Sequence, residues 1–218
     1  MAVVSESIRG RALQVVERLA AAYPDAKCSL DYAGPFQLLI ATILAAQCTD
    51  ERVNQVTPAL FARFPTPAAF AEAPLPDIEE AIRSTGFFRN KARHIQGASR
   101  MIVEEFGGET PCAMADLLRL PGVARKTANV VMGNGYGRVE GVIVDTHVGR
   151  ISRRLGLTTA EDPVRVEHDL MALLPQSEWL AFNHRVIDFG RAICKAPRPR
   201  CAICMLADLC PSYDPTNL

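Results

Sequence analysis

Leu120-Pro121-Gly122-Val123-Ala124-Arg125-Lys126-Thr127-Ala128 is the stretch on which the fold turns. Its Pro-Gly pair stands between two amphipathic segments, Ala113 to Leu118 and Ala124 to Met132, so the reading is helix, tight turn, helix. A helix that opens straight from such a turn presents unpaired backbone N–H groups. With no bulky side chain in front of them, those groups suit a phosphate. Contacts of this kind go to the DNA backbone and carry no sequence preference. The same residues also read as a plain turn between two core helices. Lys126 falls in the first turns of the second helix, where an ammonium is electrostatically disfavoured. A neutral amine there can attack a sugar C1′ and form a Schiff base, yet by composition alone Lys126 reads rather as an ordinary surface lysine touching phosphate.

Further along, Asp145 follows the apolar run Val142-Ile143-Val144 and precedes Val148, Ile151 and Leu155, a helical stripe closed by Gly156. It is placed to cap that helix, with Arg153 and Arg154 complementing the far end. A carboxylate there can also stabilise positive charge developing at C1′ and orient or deprotonate an amine. Four cysteines then follow, Cys194, Cys201, Cys204 and Cys210, spaced C-x6-C-x2-C-x5-C. Four thiolates so close in sequence can enclose one soft metal centre, either zinc or a cubane iron–sulfur cluster. Lys195, Arg198 and Arg200 are threaded between them and can meet phosphate.

Helical periodicity extends over nearly the whole chain, with proline or glycine as punctuation. Ile8, Leu13, Val16 and Leu19 form one stripe; a second helix opens at Pro35, and Arg89 to Phe106 is amphipathic. Shorter helices are predicted after Asp50, Thr66-Pro67 and Pro76, and others after Pro111, Gly122, Asp145, Pro163 and Ser177. Val142-Ile143-Val144 looks like a strand but is too isolated to build a sheet. Gly133-Asn134-Gly135-Tyr136-Gly137 has the look of a nucleotide loop, yet it follows a helix and reads as a helix stop. The class is all-α, with about ten short helices.

Composition narrows the function. The 218 residues are 49% hydrophobic, 22% charged and only 6% aromatic, with zero formal net charge. A polyanion is therefore attracted by local patches and not by the whole molecule. The first residues carry no secretory pattern, and the longest apolar run, Leu38 to Ala46, is too short to span a bilayer. Seven cysteines, four of them at metal spacing, argue against a secreted disulfide framework. Cys28, Cys48 and Cys112 read as small buried apolar residues in a reducing compartment, and the expected location is cytoplasmic, on the nucleoid.

Hairpin, Val144-Asp145-Thr146-His147-Val148, Ala46-Gln47-Cys48-Thr49-Asp50 and the cysteine loop, in this combination, resemble the endonuclease III family of helix–hairpin–helix DNA glycosylases of the iron–sulfur type. The family's usual hairpin is LPGVGxKTA; Ala124 departs from it where many members carry a second glycine. The resemblance implies two helical lobes. One is a contiguous helical barrel with the hairpin, 28–137; the other joins 1–27 to 138–218 and holds a [4Fe–4S] cluster on Cys194, Cys201, Cys204 and Cys210. It further implies Lys126 as nucleophile, Asp145 as the essential carboxylate, and Thr146 and His147 in the base pocket. Gln47 and Phe87 would wedge into the gap left by a flipped base, although Phe87 also reads as core packing beside Phe88. Leu120, Gly122, Ala124, Lys195, Arg198 and Arg200 would contact DNA.

The implied activity is that of a monomeric DNA glycosylase and AP lyase of base excision repair. It would act on double-stranded DNA with damaged bases or abasic sites, and its lesions would be oxidised pyrimidines. Two rivals remain: an adenine or mismatch glycosylase, which usually lacks the hairpin lysine and, if adenine-specific, has a further C-terminal domain; and a non-catalytic metal module, which needs no Lys126 and Asp145.

Overall fold

The computed structural model describes residues 6–216. In chain order its helices are α1 (Glu6–Ala22), α2 (Pro35–Leu44), α3 (Asp50–Arg63), α4 (Pro67–Glu72), α5 (Leu75–Ala81), α6 (Phe88–Glu105), α7 (Met114–Leu117), α8 (Arg125–Val130), α9 (Thr146–Arg154), α10 (Pro163–Leu173) and α11 (Trp179–Ala192). Local chemistry sets many starts. Thr49, Thr66, Asp145 and Asp162 each accept a first-turn N–H through the side chain, and Pro35, Pro67 and Pro163 fill first-turn positions that need no donor.

No strand occurs among the described residues. Val142 and Ile143 are buried, but with no neighbouring strand to pair with, the Val142–Val144 segment stays an extended link that delivers Asp145 to α9. The helix after the hairpin also differs from expectation. The α-helix ends at Val130 and continues as a π turn over Val131–Gly135, and the left-handed residue comes later, at Gly137 (φ +66°). The helix therefore stops at the residue whose φ requires glycine, four positions beyond Gly133.

The chain divides into two compact units, a contiguous one, Cys28–Arg138, and a discontinuous one made of Met1–Lys27 and Val139–Leu218. In the contiguous unit α6 is the central support, packed by α2, α4 and α5, with Ile95 and Ile102 buried along its inner face. Phe70 of α4 stacks edge-on with Phe36 at 5.8 Å and against Phe64 at 5.1 Å. In the discontinuous unit α1 packs on α10 and α11, and α9 packs on α11. The buried stripe of α1 is Ala12, Val15, Val16 and Leu19; Leu13 points outward, 45% exposed. No helix among the described residues is long and apolar enough to cross a membrane.

Candidate functional site

The hairpin is a β-turn in which Val123 N–H donates to Leu120 O at 3.1 Å and Gly122 takes φ +78°. Proline second and glycine third is the residue order of a type II turn. Gly122 is required twice over. A Cβ there would meet the His94 side chain of α6 at 2.8 Å, in a conformation that L residues avoid. Gly122→Ala is expected to cost about 1–2 kcal/mol, lowering the melting temperature by several degrees and weakening duplex binding; an unaltered melting curve and affinity would contradict this.

Ala124 stands at the N-cap of α8 with an extended backbone and supplies no side-chain acceptor to the first turn. Gly122, Ala124 and Lys126 are all exposed. Leu120 is buried, so any contact it makes with DNA runs through its main chain.

Gln47 and Phe87 share a peculiarity that no sequence pattern announces. Among the described residues they are the two non-glycine residues with positive φ, +53° and +46°. Such backbone costs about 1–3 kcal/mol per residue and persists only where its surroundings enforce it. Both side chains are exposed, Phe87 at 65%, and both line one groove with Asn90, His94 and Gly122. Phe87 is therefore not core packing. Its left-handed turn at the start of α6 carries the ring away from the core that Ile82 and Ile95 build.

In the discontinuous unit, Asp145 caps α9 as expected. Its Oδ1 accepts from Val148 N–H at 2.8 Å, and its Oδ2 lies 3.3 Å from His147 Nδ1. Both side chains are half-buried, while Thr146 is exposed. The His147 ring packs against residue 190 of α11, which is glycine: a Cβ there would meet ring atom Cδ2 at 2.7 Å.

The cysteine loop folds around short 3-10 turns, Cys201–Ile203 and Ala207–Leu209. Cys194, Cys201, Cys204 and Cys210 are all reduced and line a single cavity with Leu155, Phe189 and other residues. Burial pushes the Cys204 and Cys210 thiols up, and the neighbouring cysteines push the same way. Four sulfurs lining one cavity form a donor set that suits a soft, thiolate-ligated metal centre. Among the described residues no three His, Cys, Asp or Glu side chains gather into a single-ion site. Arg154 donates to Cys194 Sγ at 3.2 Å and Lys195 O at 3.0 Å, and Arg150 to Cys194 O at 3.0 Å. Arg18 of α1 holds the loop through Met205 O and Asp208. Lys195, Arg198 and Arg200 are exposed.

Cys28, Cys48 and Cys112 are half-buried, contrary to the expectation of fully buried residues. Cys28 lies before α2 and Cys48 in the turn after it, and Cys112 accepts from Arg138 at 3.2 Å. Sequence reasoning passed over Arg150 and Lys91, and gave Arg154 only a role at the helix end, not its contact with Cys194. The arginines sit in an ordinary basic helix end, but Lys91 carried a signal: it falls on the apolar face of α6, one helical turn before Ile95.

Comparison with known proteins gives concordant results. Residues 40–176 match the HhH-GPD superfamily of base excision DNA repair proteins. The chain is 60% identical to an endonuclease III of Synechocystis sp., across 94% of each sequence. It is also similar to two solved structures, a non-covalent endonuclease III–DNA complex and a trapped endonuclease III–DNA covalent intermediate. Each has 44% identity and a TM-score of 0.90 over 94% of this chain and 96% of the other. With the hairpin, the capped aspartate and the four-thiol loop in one all-helical chain, the protein belongs to the endonuclease III family, within the HhH-GPD superfamily of base excision DNA repair proteins.

Proposed function

We propose that this chain is a DNA N-glycosylase and AP lyase that removes oxidised pyrimidines from double-stranded DNA and nicks the strand by β-elimination. The observation that carries the reading is Lys126, exposed in the first turn of the helix that follows a phosphate-binding type of hairpin. The existence of a trapped covalent DNA intermediate in a relative supports it.

The chemistry runs as follows. A damaged nucleotide leaves the stack, and Gln47 and Phe87 fill the gap, Phe87 stacking on the orphaned base. The Lys126 amine bonds to C1′ as the bond from C1′ to the base breaks and the base departs with its electron pair. The amine nitrogen then gives up its proton to O4′ as the C1′–O4′ bond breaks, and the sugar opens to an imine between Lys126 and C1′. Loss of a C2′ proton then expels the 3′ phosphate, and water releases Lys126. Asp145 supplies the negative charge that stabilises the cationic sugar and helps deprotonate the amine, while Thr146 and His147 shape the base pocket. Gly122, Ala124 and the main chain of Leu120 hold phosphate from the hairpin side, and Lys195, Arg198 and Arg200 from the cysteine loop. Such an enzyme works as a monomer in the cytoplasm, at the nucleoid.

Borohydride trapping tests the reading. Duplexes carrying thymine glycol, an abasic site or no damage are compared at one salt concentration. A covalent adduct with the first two and none with the third is expected; no adduct with any duplex would refute the lyase.

The four thiols fit a thiolate-ligated centre, and we infer that Cys194, Cys201, Cys204 and Cys210 hold a [4Fe–4S] cluster of structural role. When bound, it supplies the positive charge that the four thiolates need. Arg154 stabilises the Cys194 thiolate by hydrogen bonding. The purified protein is expected to be yellow-brown, absorbing near roughly 400 nm, and to lose colour and thermal stability together when the iron is removed. A colourless, zinc-loaded protein of full stability would show that the centre is zinc.

A further inference from the structure

Lys91 is 4% exposed, and among the described residues no carboxylate forms an ion pair with it. Its ammonium donates to two backbone carbonyls, Leu44 O and Thr85 O, each at 2.7 Å. Burial pushes its pKa down, yet the acceptors are well chosen for a cation. Leu44 is the last residue of α2, whose C-terminal carbonyls carry partial negative charge. Thr85 ends the short turn before α6, and Lys91's own N–H donates to Phe87 O at 3.1 Å.

These acceptors sit three and two residues before the two left-handed residues. Leu44 is followed by Ala45, Ala46 and Gln47, and Thr85 by Gly86 and Phe87. One side chain therefore ties together two segments distant in sequence, each leading into a strained, exposed residue of the same groove. A salt bridge would serve less well, since a carboxylate fixes one side chain, whereas carbonyl acceptors fix two backbones.

We propose that Lys91 is a positioning residue that holds Gln47 and Phe87 in register, so that both enter the duplex as the damaged nucleotide leaves it. The proposal rests on the wedge role given above to Gln47 and Phe87. Lys91 touches neither the sugar nor the base in this scheme; it acts through the two backbones. Its loss therefore harms those steps in which a duplex must be opened, and spares chemistry on a strand with nothing to open.

Lys91→Met keeps the length of the side chain and removes its donors. Cleavage and imine trapping are compared between an abasic duplex and the same abasic strand alone. The variant is expected to lose on the order of 10–100-fold in kcat/KM on the duplex, and less than about twofold on the single strand. In a Gln47→Ala, Phe87→Ala background the same substitution is expected to change duplex cleavage by less than about twofold, since nothing remains to be positioned. Equal losses on both strands, no loss on the duplex, or full additivity in that background would each overturn the role. Should Lys91→Met melt below the assay temperature, Lys91→Gln, which retains a shorter donor, is put through the same comparison and judged by the same outcomes. If the unaltered protein forms no imine with either DNA, the lyase reading fails first and separately. If it cleaves normally while the Lys91 variants match it, only the positioning role falls.

Discussion

Lys126→Ala is expected to abolish the borohydride-trapped adduct and reduce strand cleavage on the order of 10³-fold or more, as removal of a nucleophile does. The fold should not notice. Lys126 is exposed in the first turn of α8, and alanine is a better helix former than lysine, so stability should move by no more than about 0.5 kcal/mol. Duplex affinity should fall modestly, with the salt dependence shallower by about one unit, the share of a single phosphate-range cation. These three measurements together separate the candidate roles. A lysine that only touches phosphate would alter affinity and leave the adduct in place; a non-catalytic metal module would form no adduct before the substitution. An unchanged adduct from Lys126→Ala would assign the nucleophile to a different amine.

The second large effect concerns Asp145, whose two oxygens have separate duties. One caps α9 through Val148 N–H, and the other lies beside His147. Asparagine caps a helix about as well as aspartate, because the amide oxygen accepts the same N–H, whereas alanine loses the cap at about 1 kcal/mol. Asp145→Asn therefore removes the charge alone, and Asp145→Ala removes charge and cap together. Both are expected to lose base release on the order of 10²–10⁴-fold. Only the alanine variant should melt lower, by a few degrees. Should Asp145→Asn retain full activity, the carboxylate would be a cap and nothing more.

Much of this was legible because helix starts and stops are local. A cap such as Thr49 or Asp145 meets an N–H three residues away, and Gly156 takes a left-handed φ two residues after the end of α9, so short windows of sequence contain both partners. The hairpin was legible for the same reason. Val142–Val144 has the composition of a strand, and its isolation already argued against a sheet, since a strand exists only where a second one lies beside it. Other features depend on distant parts of the chain and were left open or misplaced. Leu13 fits a helical stripe of α1 as well as Ala12 or Val15 does, and what lies outside the helix chose between them. Phe87 read both as a wedge and as core packing beside Phe88, and the left-handed turn at residue 87, which leaves the ring 65% exposed, decides against core packing.

From the sequence alone came the all-helical class, the hairpin with its lysine, the capped aspartate and the four thiols at metal-ligand spacing, because each is written within a few neighbouring residues. Tertiary structure alone decided that Gln47 and Phe87 adopt left-handed backbone and share a groove, and that a buried Lys91 binds the carbonyls leading into both. The reason is physical: a non-glycine residue enters that conformation only when contacts from elsewhere in the chain hold it there. Leu44 and Lys91 are 47 positions apart, and no local pattern couples them.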